Sequence, residues 1–177
     1  IEIISALGAH SNQRSLEFLF DIAKSDLDLS LSHAAIESLG QTQHILAARF
    51  LENLYQHGHK AKKTAIVLAL VKFANTSCLE LFSIDLKKSL ETKDFTLAKN
   101  LIYAMGELRF SHALDLLKTI LSGAYPKDIQ LSAISSIGKI SRHPSDLTTH
   151  QDKFKNDAFE FQIFQQAQNQ IAFRAEW

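Results

Sequence analysis

A few histidine, serine and cysteine side chains stand at spacings that invite comparison with metal or catalytic sites. His57 and His59 flank Gly58 in a predicted turn, with no cysteine or carboxylate beside them. A tight metal site needs three or four ligands, and the lysines that follow this pair repel a cation. We therefore interpret this segment as a solvated turn and predict no metal site.

The candidate nucleophiles also have structural explanations. Ser32 and Ser111 each precede a histidine, but both stand at predicted helix starts, where serine commonly caps the helix. Cys78 stands at a predicted helix N-terminus, which favours a lowered thiol pKa, although a lone cysteine in an apolar context is more often inert core. The sequence contains no nucleophile elbow, phosphate loop or dinucleotide fingerprint. We predict no catalytic residue and no cofactor.

A six-residue motif that ends in glycine recurs along the chain. Its four clear copies end at Gly8, Gly40, Gly106 and Gly138. The first two glycines and the last two are each 32 positions apart, and the 66 positions in the middle leave room for a copy without its glycine. Isoleucine takes the second position of every copy and an apolar residue the fifth, which places a seam on one helix face. Each copy is predicted to end a first helix, stopped by its glycine.

The residues after each glycine predict a second helix. Apolar residues recur 8, 11 and 14 positions after the glycine, as Leu16, Leu19, Ile22; Ala48, Leu51, Leu54; and Leu114, Leu117, Ile120. Ser11 and Ser111 are candidate caps of second helices, and Asp28, Asp94 and Pro126 are candidate starts of first helices. One helical hairpin cannot bury both of its faces, so neighbouring hairpins are expected to stack.

Two copies carry a resemblance to a known repeat family. Residues 32–40 read Ser-His-Ala-Ala-Ile-Glu-Ser-Leu-Gly, and residues 131–138 read Leu-Ser-Ala-Ile-Ser-Ser-Ile-Gly. They resemble HEAT repeats, specifically the short HEAT-like repeats of the phycobilisome-lyase type. The resemblance covers roughly residues 1–140 and implies an all-α, right-handed superhelix of about five hairpins. It implies no particular activity, because such folds host many functions.

Other members of this fold group have activities that the sequence does not support. The HEAT-like deoxyhypusine hydroxylases hold two irons with His-Glu pairs, whereas His33 is followed by Ala34 and no His-Glu pair occurs. HEAT-like DNA glycosylases use a basic concave face. The basic residues on the predicted second helices are few and mixed with acids: Arg49, Lys87, Lys88 and Lys118.

The third hairpin and the C-terminal residues depart from the repeat. Helices are predicted at about 61–74 and 77–92, with Leu79, Phe82, Leu86 and Leu90 on one face. Pro144 interrupts the pattern, so 1–140 are predicted to be the repeat domain and 141–151 a loop. Residues 152–177 are predicted to form a helix that holds five of the twelve phenylalanines. It is interpreted as a cap with Phe161 or Phe164 buried against the fifth hairpin, and alternatively as a docking helix.

Composition limits the classes of partner. Lysine plus arginine equals aspartate plus glutamate at 19 each, and a net charge of zero argues against dedicated nucleic-acid binding. No apolar run is long enough to cross a bilayer, so no membrane association is expected. The single cysteine and the lack of a visible signal peptide suggest a cytoplasmic protein. Because the chain starts at Ile1 within a repeat, we expect a fragment of a longer protein.

The predicted function is a non-enzymatic scaffold that binds another protein or a peptide on its concave face. The resemblance places the second helices on that face. Positions 9 and 13 after each glycine point away from the buried stripe, and position 10 lies at its boundary. The predicted binding residues are Glu17, Phe18, Asp21, Arg49, Phe50, Asn53, Asp115, Leu116 and Thr119. Alternatively, Phe18 and Phe50 fill gaps between hairpins. Alternative functions are an accessory subunit of a lyase-type enzyme and, less favoured, a nucleic-acid-binding protein.

The repeat also predicts a core. The residues expected to be almost fully buried come from the seams of both helices, namely Leu19, Ile36, Leu39, Leu51, Ile102, Met105, Leu117, Ile134 and Ile137.

Overall fold

A computed structural model describes residues 2–9 and 12–176, and the regular elements within those ranges are all helical. Their contacts divide the chain into two compact units, residues 1–78 and 79–177. Unit 1 contains α1 (Glu2–Ala9), α2 (Gln13–Lys24), α3 (Leu29–Gln41), α4 (Ile45–His57) and α5 (Lys63–Lys72). Unit 2 contains α6 (Leu79–Glu91), α7 (Phe95–Glu107), α8 (Leu114–Ser122), α9 (Lys127–Ile140), α10 (Ser145–Thr148), α11 (Gln151–Phe154) and α12 (Ala158–Ala175). The all-α prediction is confirmed.

The first helices of the hairpins pack directly on one another within each unit. In unit 1, α3 lies between α1 and α5, and the second helices α2 and α4 also touch. In unit 2, α9 lies between α7 and α12, so α12 takes the place that a further first helix would occupy. The predicted core is confirmed, because the nine core residues named above are completely buried.

The motif glycines do not end their helices, which corrects the prediction. Gly106 and Gly138 lie one and two residues before the ends of α7 and α9, and no described glycine has a positive φ. Their role is close approach between helices. A Cβ atom on Gly106 would lie 2.6 Å from the hydroxyl oxygen of Ser136, and one on Gly138 would lie 2.7 Å from the Cβ of Ala167. Gly8 and Gly40 face α3 and α5 in the same way, through Ser38 and Ala69.

Non-glycine residues provide the left-handed turns between first and second helices. Gln43, Ala74 and Arg109 have φ angles of 54°, 49° and 51°. After α7, the amide of Phe110 donates to the carbonyl of Met105 at 3.0 Å, as expected when a left-handed residue closes a helix. Gln43 and Arg109 each stand three positions after a motif glycine. Because Ala74 is the corresponding left-handed residue of the third hairpin, Val71 occupies the position of its missing glycine.

The helix starts combine predicted and unpredicted caps. Asp28 accepts hydrogen bonds from the amides of Ser30 at 2.8 Å and Leu31 at 3.1 Å, and Asp94 caps α7. The hydrogen bonds from Ser30 and Leu31 lower the pKa of the Asp28 carboxyl. Asn12 caps α2, a role predicted for Ser11, which lies outside the described residues together with His10. Ser111 does not cap α8; it begins a 3-10 turn, Ser111–Ala113, that leads into the helix.

The C-terminal segment is more broken than predicted. The expected loop, 141–151, contains α10 and the first residue of α11, and the long helix begins at Ala158 rather than at residue 152. Phe164 is completely buried and its ring lies 6.0 Å from that of Phe154, centroid to centroid. Helix α12 packs on α9, the first helix of the fifth hairpin, so the predicted packing of this helix is confirmed. Phe159 and Phe173 are both 66% exposed, and Trp177 lies outside the described residues.

Candidate functional site

The second helices of unit 1 carry six of the predicted binding residues. Four of them are exposed polar side chains, Glu17 and Asp21 on α2 and Arg49 and Asn53 on α4. They are exposed because the apolar stripe of each helix packs against the core, so that the opposite face of the helix points to solvent. Since α2 and α4 are in contact, the structure brings these four residues onto one surface. That surface carries both signs of charge.

Phe18 and Phe50, which lie beside these four residues, differ in their exposure and contacts. Phe50 is half-buried and stacks on Phe20 of α2, with ring centroids 4.3 Å apart and an angle of 21° between the rings. The ammonium of Lys24 lies 5.4 Å from the centre of the Phe50 ring. Phe50 therefore fills the gap between neighbouring hairpins, which is the alternative considered above. Phe18 remains 53% exposed.

The remaining predicted residues lie on α8, in unit 2. Asp115 and Thr119 are exposed and Leu116 is half-buried. The carboxylate of Asp115 lies 3.2 Å from the ammonium of Lys118, which also lies 3.3 Å from Asp146. These carboxylates raise the pKa of Lys118, the contact with Asp115 being the largest cause. The α8 residues belong to the surface of unit 2.

The structure adds α6 to this surface of unit 2. Its buried residues Leu79, Phe82 and Leu86 have the same spacing as Leu16, Leu19 and Ala23 of α2. Glu80 and Ile84 therefore occupy the positions that Glu17 and Asp21 hold on α2. Ile84 is 62% exposed, and Glu80 lies 3.6 Å from His112 in the turn before α8. The repeated spacing of the buried residues is the sequence signal that identifies Glu80 and Ile84, because this hairpin has no glycine to mark its register.

A groove of about 520 Å³ lies on the first-helix side of unit 2. Tyr103 of α7 and Phe159 of α12 stand on its two sides, while Leu131 and Ser135 of α9 are among the residues that line it. Small side chains on α9 between large ones on its neighbours create the depression. No motif or repeat position in the sequence points to this groove.

One lysine of the predicted solvated turn is buried, which corrects that interpretation. Lys62 is 1% exposed, and its ammonium donates to the carbonyl oxygens of Ala23, Lys24 and Ser25 at 3.0, 3.0 and 2.9 Å. It also lies 2.8 Å from the carboxylate of Asp26. This contact with Lys62 lowers the pKa of Asp26. Lys62 thus satisfies carbonyls at the C-terminal end of α2, where a cation is also favoured by the helix dipole.

Three of the histidines contact backbone atoms that lie close by in the sequence. His44 and His59 each accept a hydrogen bond from a backbone amide two residues ahead, at 3.2 and 3.3 Å. His57 contacts the carbonyl oxygen of Asn53 at 3.2 Å. Within the described residues, no three histidine, cysteine, aspartate or glutamate side chains come close enough to hold a metal ion together.

Comparison with known proteins gives no assignment. No protein-family model matches the chain, and no curated protein matches it. In the part of the chain that the structure describes, no helix is both long and apolar enough to cross a bilayer.

Cys78 does not have the environment of a reactive thiol. It is buried, and this burial, assisted by the negative charge of Glu52, raises its pKa. The lowered pKa that a helix N-terminus would favour is therefore not found, and the structure supports the preferred interpretation, an inert core cysteine. The helix N-terminus does not compensate for the loss of solvent around the thiolate.

We expect the Cys78 thiol to react with a disulfide reagent far more slowly in the folded protein than in urea. The reason is that the thiolate, which is the reactive form, is disfavoured by burial. The measurement is the rate of labelling by Ellman's reagent. A matched control places the cysteine at its exposed neighbour, as Ser77→Cys with Cys78→Ser, and should label rapidly when folded. Equal rates for the two folded proteins would contradict the prediction.

Proposed function

We propose that the protein is a HEAT-like helical-repeat module that binds a protein or peptide partner on the surface of its second helices. In this proposal the hairpins form a right-handed superhelix, and the second helices line its concave side. The observation that carries the proposal is the row of Glu17, Asp21, Arg49 and Asn53. These exposed side chains stand at equivalent positions of two helices in contact, facing away from the core.

The stacking of the hairpins supports this architecture. The glycine of one first helix packs against a small residue of the next, as Gly40 packs against Ala69 and Gly106 against Ser136. A repeated contact of this kind is what a stacked-hairpin protein requires, because each hairpin buries its faces only against its neighbours. Stacked second helices then present equivalent side chains at regular intervals, which suits an extended partner.

The chemistry of the row favours a protein partner. Acidic and basic side chains alternate between neighbouring helices, with Glu17 and Asp21 on α2 and Arg49 on α4. A nucleic acid would require a predominantly basic surface, and the chain has no net charge. A polypeptide carrying both signs of charge is complementary to this pattern, and complementary charges increase the specificity and the rate of association.

Charge reversal at this row is expected to weaken partner binding about tenfold, because attraction is replaced by repulsion. The variants are Arg49→Glu and Asp21→Lys, and the measurement is recovery of bound proteins from extracts of the native source, followed by titration of the recovered partner. Glu37→Lys is the control, since Glu37 is an exposed acid on a first helix of the same unit. If both variants stay folded and bind like the control, the binding site lies elsewhere.

A further inference from the structure

The groove of unit 2 follows α9 and has an exposed aromatic side chain on each side. Helix α9 lines it over residues 128–139, about 16 Å or three turns of helix. Tyr103 of α7 and Phe159 of α12 have 43% and 66% of their surfaces exposed. Leu131 and Ile163, both half-buried, add to the apolar lining. Exposed apolar surface that is gathered in a groove is typical of a binding site.

The groove exists because α9 lacks the bridging side chains that α3 has at the same repeat positions. Seven and three positions before the motif glycine, α3 has His33 and Glu37, whereas α9 has Leu131 and Ser135. The ring of His33 lies 3.1 Å from a carbonyl oxygen in the turn before α5, and the carboxylate of Glu37 lies 3.9 Å from Lys72 of α5. Leucine offers no polar group and serine is too short for such a bridge. The surface of α9 therefore stays open between its neighbours.

The polar side chains of the groove have little capacity left to donate hydrogen bonds. Asn100, Ser132 and Ser136 each donate to a backbone carbonyl of α7 or α9, at 2.8, 2.8 and 2.9 Å. An extended peptide in the groove would therefore bury backbone carbonyl groups that find few donors, which is unfavourable. A helix pairs its backbone groups internally and can bind through apolar side chains alone.

The edge of the groove along α7 carries paired charges of both signs. The ammonium of Lys99 lies 3.7 Å from the carboxylate of Asp128, and Lys139 pairs with Glu107. Each pair joins α7 to α9. The ammonium of Lys139 also lies 5.3 Å from the centre of the Tyr103 ring. A complementary partner is therefore apolar in the middle and carries both signs of charge at its edges.

We propose that this groove binds an amphipathic helix of a partner protein. The helix lies along α9 between Tyr103 and Phe159. Its apolar side chains, three and four positions apart, face the groove, and its charged side chains meet the paired charges at the edge. The site contains none of the residues of the row on α2 and α4, so it is a second interaction surface of the chain.

Selection of peptides on the full chain tests the proposal. The probe is a phage-displayed library of random peptides of about 16 residues, long enough for four turns of helix. We expect selected peptides to have apolar residues at positions i, i+3, i+4 and i+7 and to gain helical circular dichroism on binding. Tyr103→Glu and Phe159→Glu are expected to weaken their binding more than tenfold in fluorescence anisotropy. Ile84→Glu is the matched control, since Ile84 is also exposed but lies on α6.

A further variant distinguishes a bound helix from non-specific adhesion. Ser135→Trp fills the groove while it adds apolar surface, so we expect it to weaken peptide binding, whereas adhesion would become stronger. Circular dichroism of each variant alone confirms that it is folded. Arg49→Glu and Asp21→Lys are expected to leave peptide binding unchanged, which keeps this test independent of the row on the second helices.

Four results would overturn the proposal. They are a library that yields no binder, selected peptides that bind without becoming helical, binding that tolerates both Tyr103→Glu and Phe159→Glu, and stronger binding to Ser135→Trp. Sedimentation velocity of the wild type checks the occupant. A dimer that Tyr103→Glu dissociates would show that a second copy of the chain, and not a partner helix, occupies the groove.

Discussion

Replacing Lys62 with alanine is expected to lower the free energy of unfolding by about 3 kcal/mol. The ammonium donates to three consecutive carbonyl oxygens, those of Ala23, Lys24 and Ser25, and it pairs with Asp26. Without it, the carbonyls of Lys24 and Ser25 lose this donor at a part-buried helix end, the carbonyl of Ala23 keeps only the hydroxyl of Ser32, and the aliphatic stem leaves a void. Both effects act against the folded state.

Urea denaturation followed by circular dichroism measures this loss. Lys62→Met separates the two effects, because it retains most of the stem and removes the ammonium; we expect it to recover part of the stability. Lys60→Ala is the control, since Lys60 is an exposed lysine of the same turn. A Lys62→Ala protein as stable as the wild type would show that the ammonium contributes nothing there.

Replacing Gly138 with alanine is expected to destabilise the protein by about 1–3 kcal/mol, the usual cost of overpacking. Helix propensity alone predicts the opposite sign, because alanine is favoured over glycine inside a helix by about 1 kcal/mol. The added Cβ would lie 2.7 Å from the Cβ and 2.8 Å from the Cα of Ala167. Helices α9 and α12 would have to move apart.

A double-mutant cycle provides the decisive measurement. Ala167→Gly alone removes a methyl group from the contact, and in combination with Gly138→Ala it moves that methyl group to the other helix. We expect the pair to be more stable than the sum of the single changes predicts, which is the signature of direct contact. Ala172→Gly, at an exposed position of α12, supplies the intrinsic glycine penalty. Additive effects would show that Gly138 acts through helix propensity and not through packing.

The helices and their buried faces were predictable because both depend on local periodicity. Ile36, Leu51 and Ile102 repeat at helical spacing, and all three are completely buried. The role of the glycines was not predictable in the same way. A glycine near a helix end ordinarily suggests a C-terminal cap. At Gly40, however, the absence of a side chain makes room for Ala69, which lies 29 positions later in the chain. Contacts between repeats of this kind are not visible in local pattern.

The candidate surface was predictable in part. The exposed row of Glu17, Asp21 and Arg49 follows from the phase of the buried stripe, which the sequence contains. The burial of Lys62 was not predicted, because its hydrogen-bond acceptors are backbone carbonyl groups, which every sequence has. These carbonyl groups lie about 38 residues earlier in the chain. Phe18 and Phe50 look alike in the sequence, and a contact between hairpins distinguishes them: Phe50 stacks on Phe20 of α2, whereas Phe18 is 53% exposed.

The glycine contacts also determine how a unit responds to force. Where Gly8 meets Ser38 and Gly40 meets Ala69, the helices are already near the limit of approach, with 2.9–3.0 Å from a hypothetical Cβ to the nearest atoms. Such an interface resists compression, because no flexible side chain lies between the helices to yield. The spacing between α2 and α4 should therefore resist compression, so that a partner of the kind proposed for this surface would meet equivalent side chains at a fixed interval.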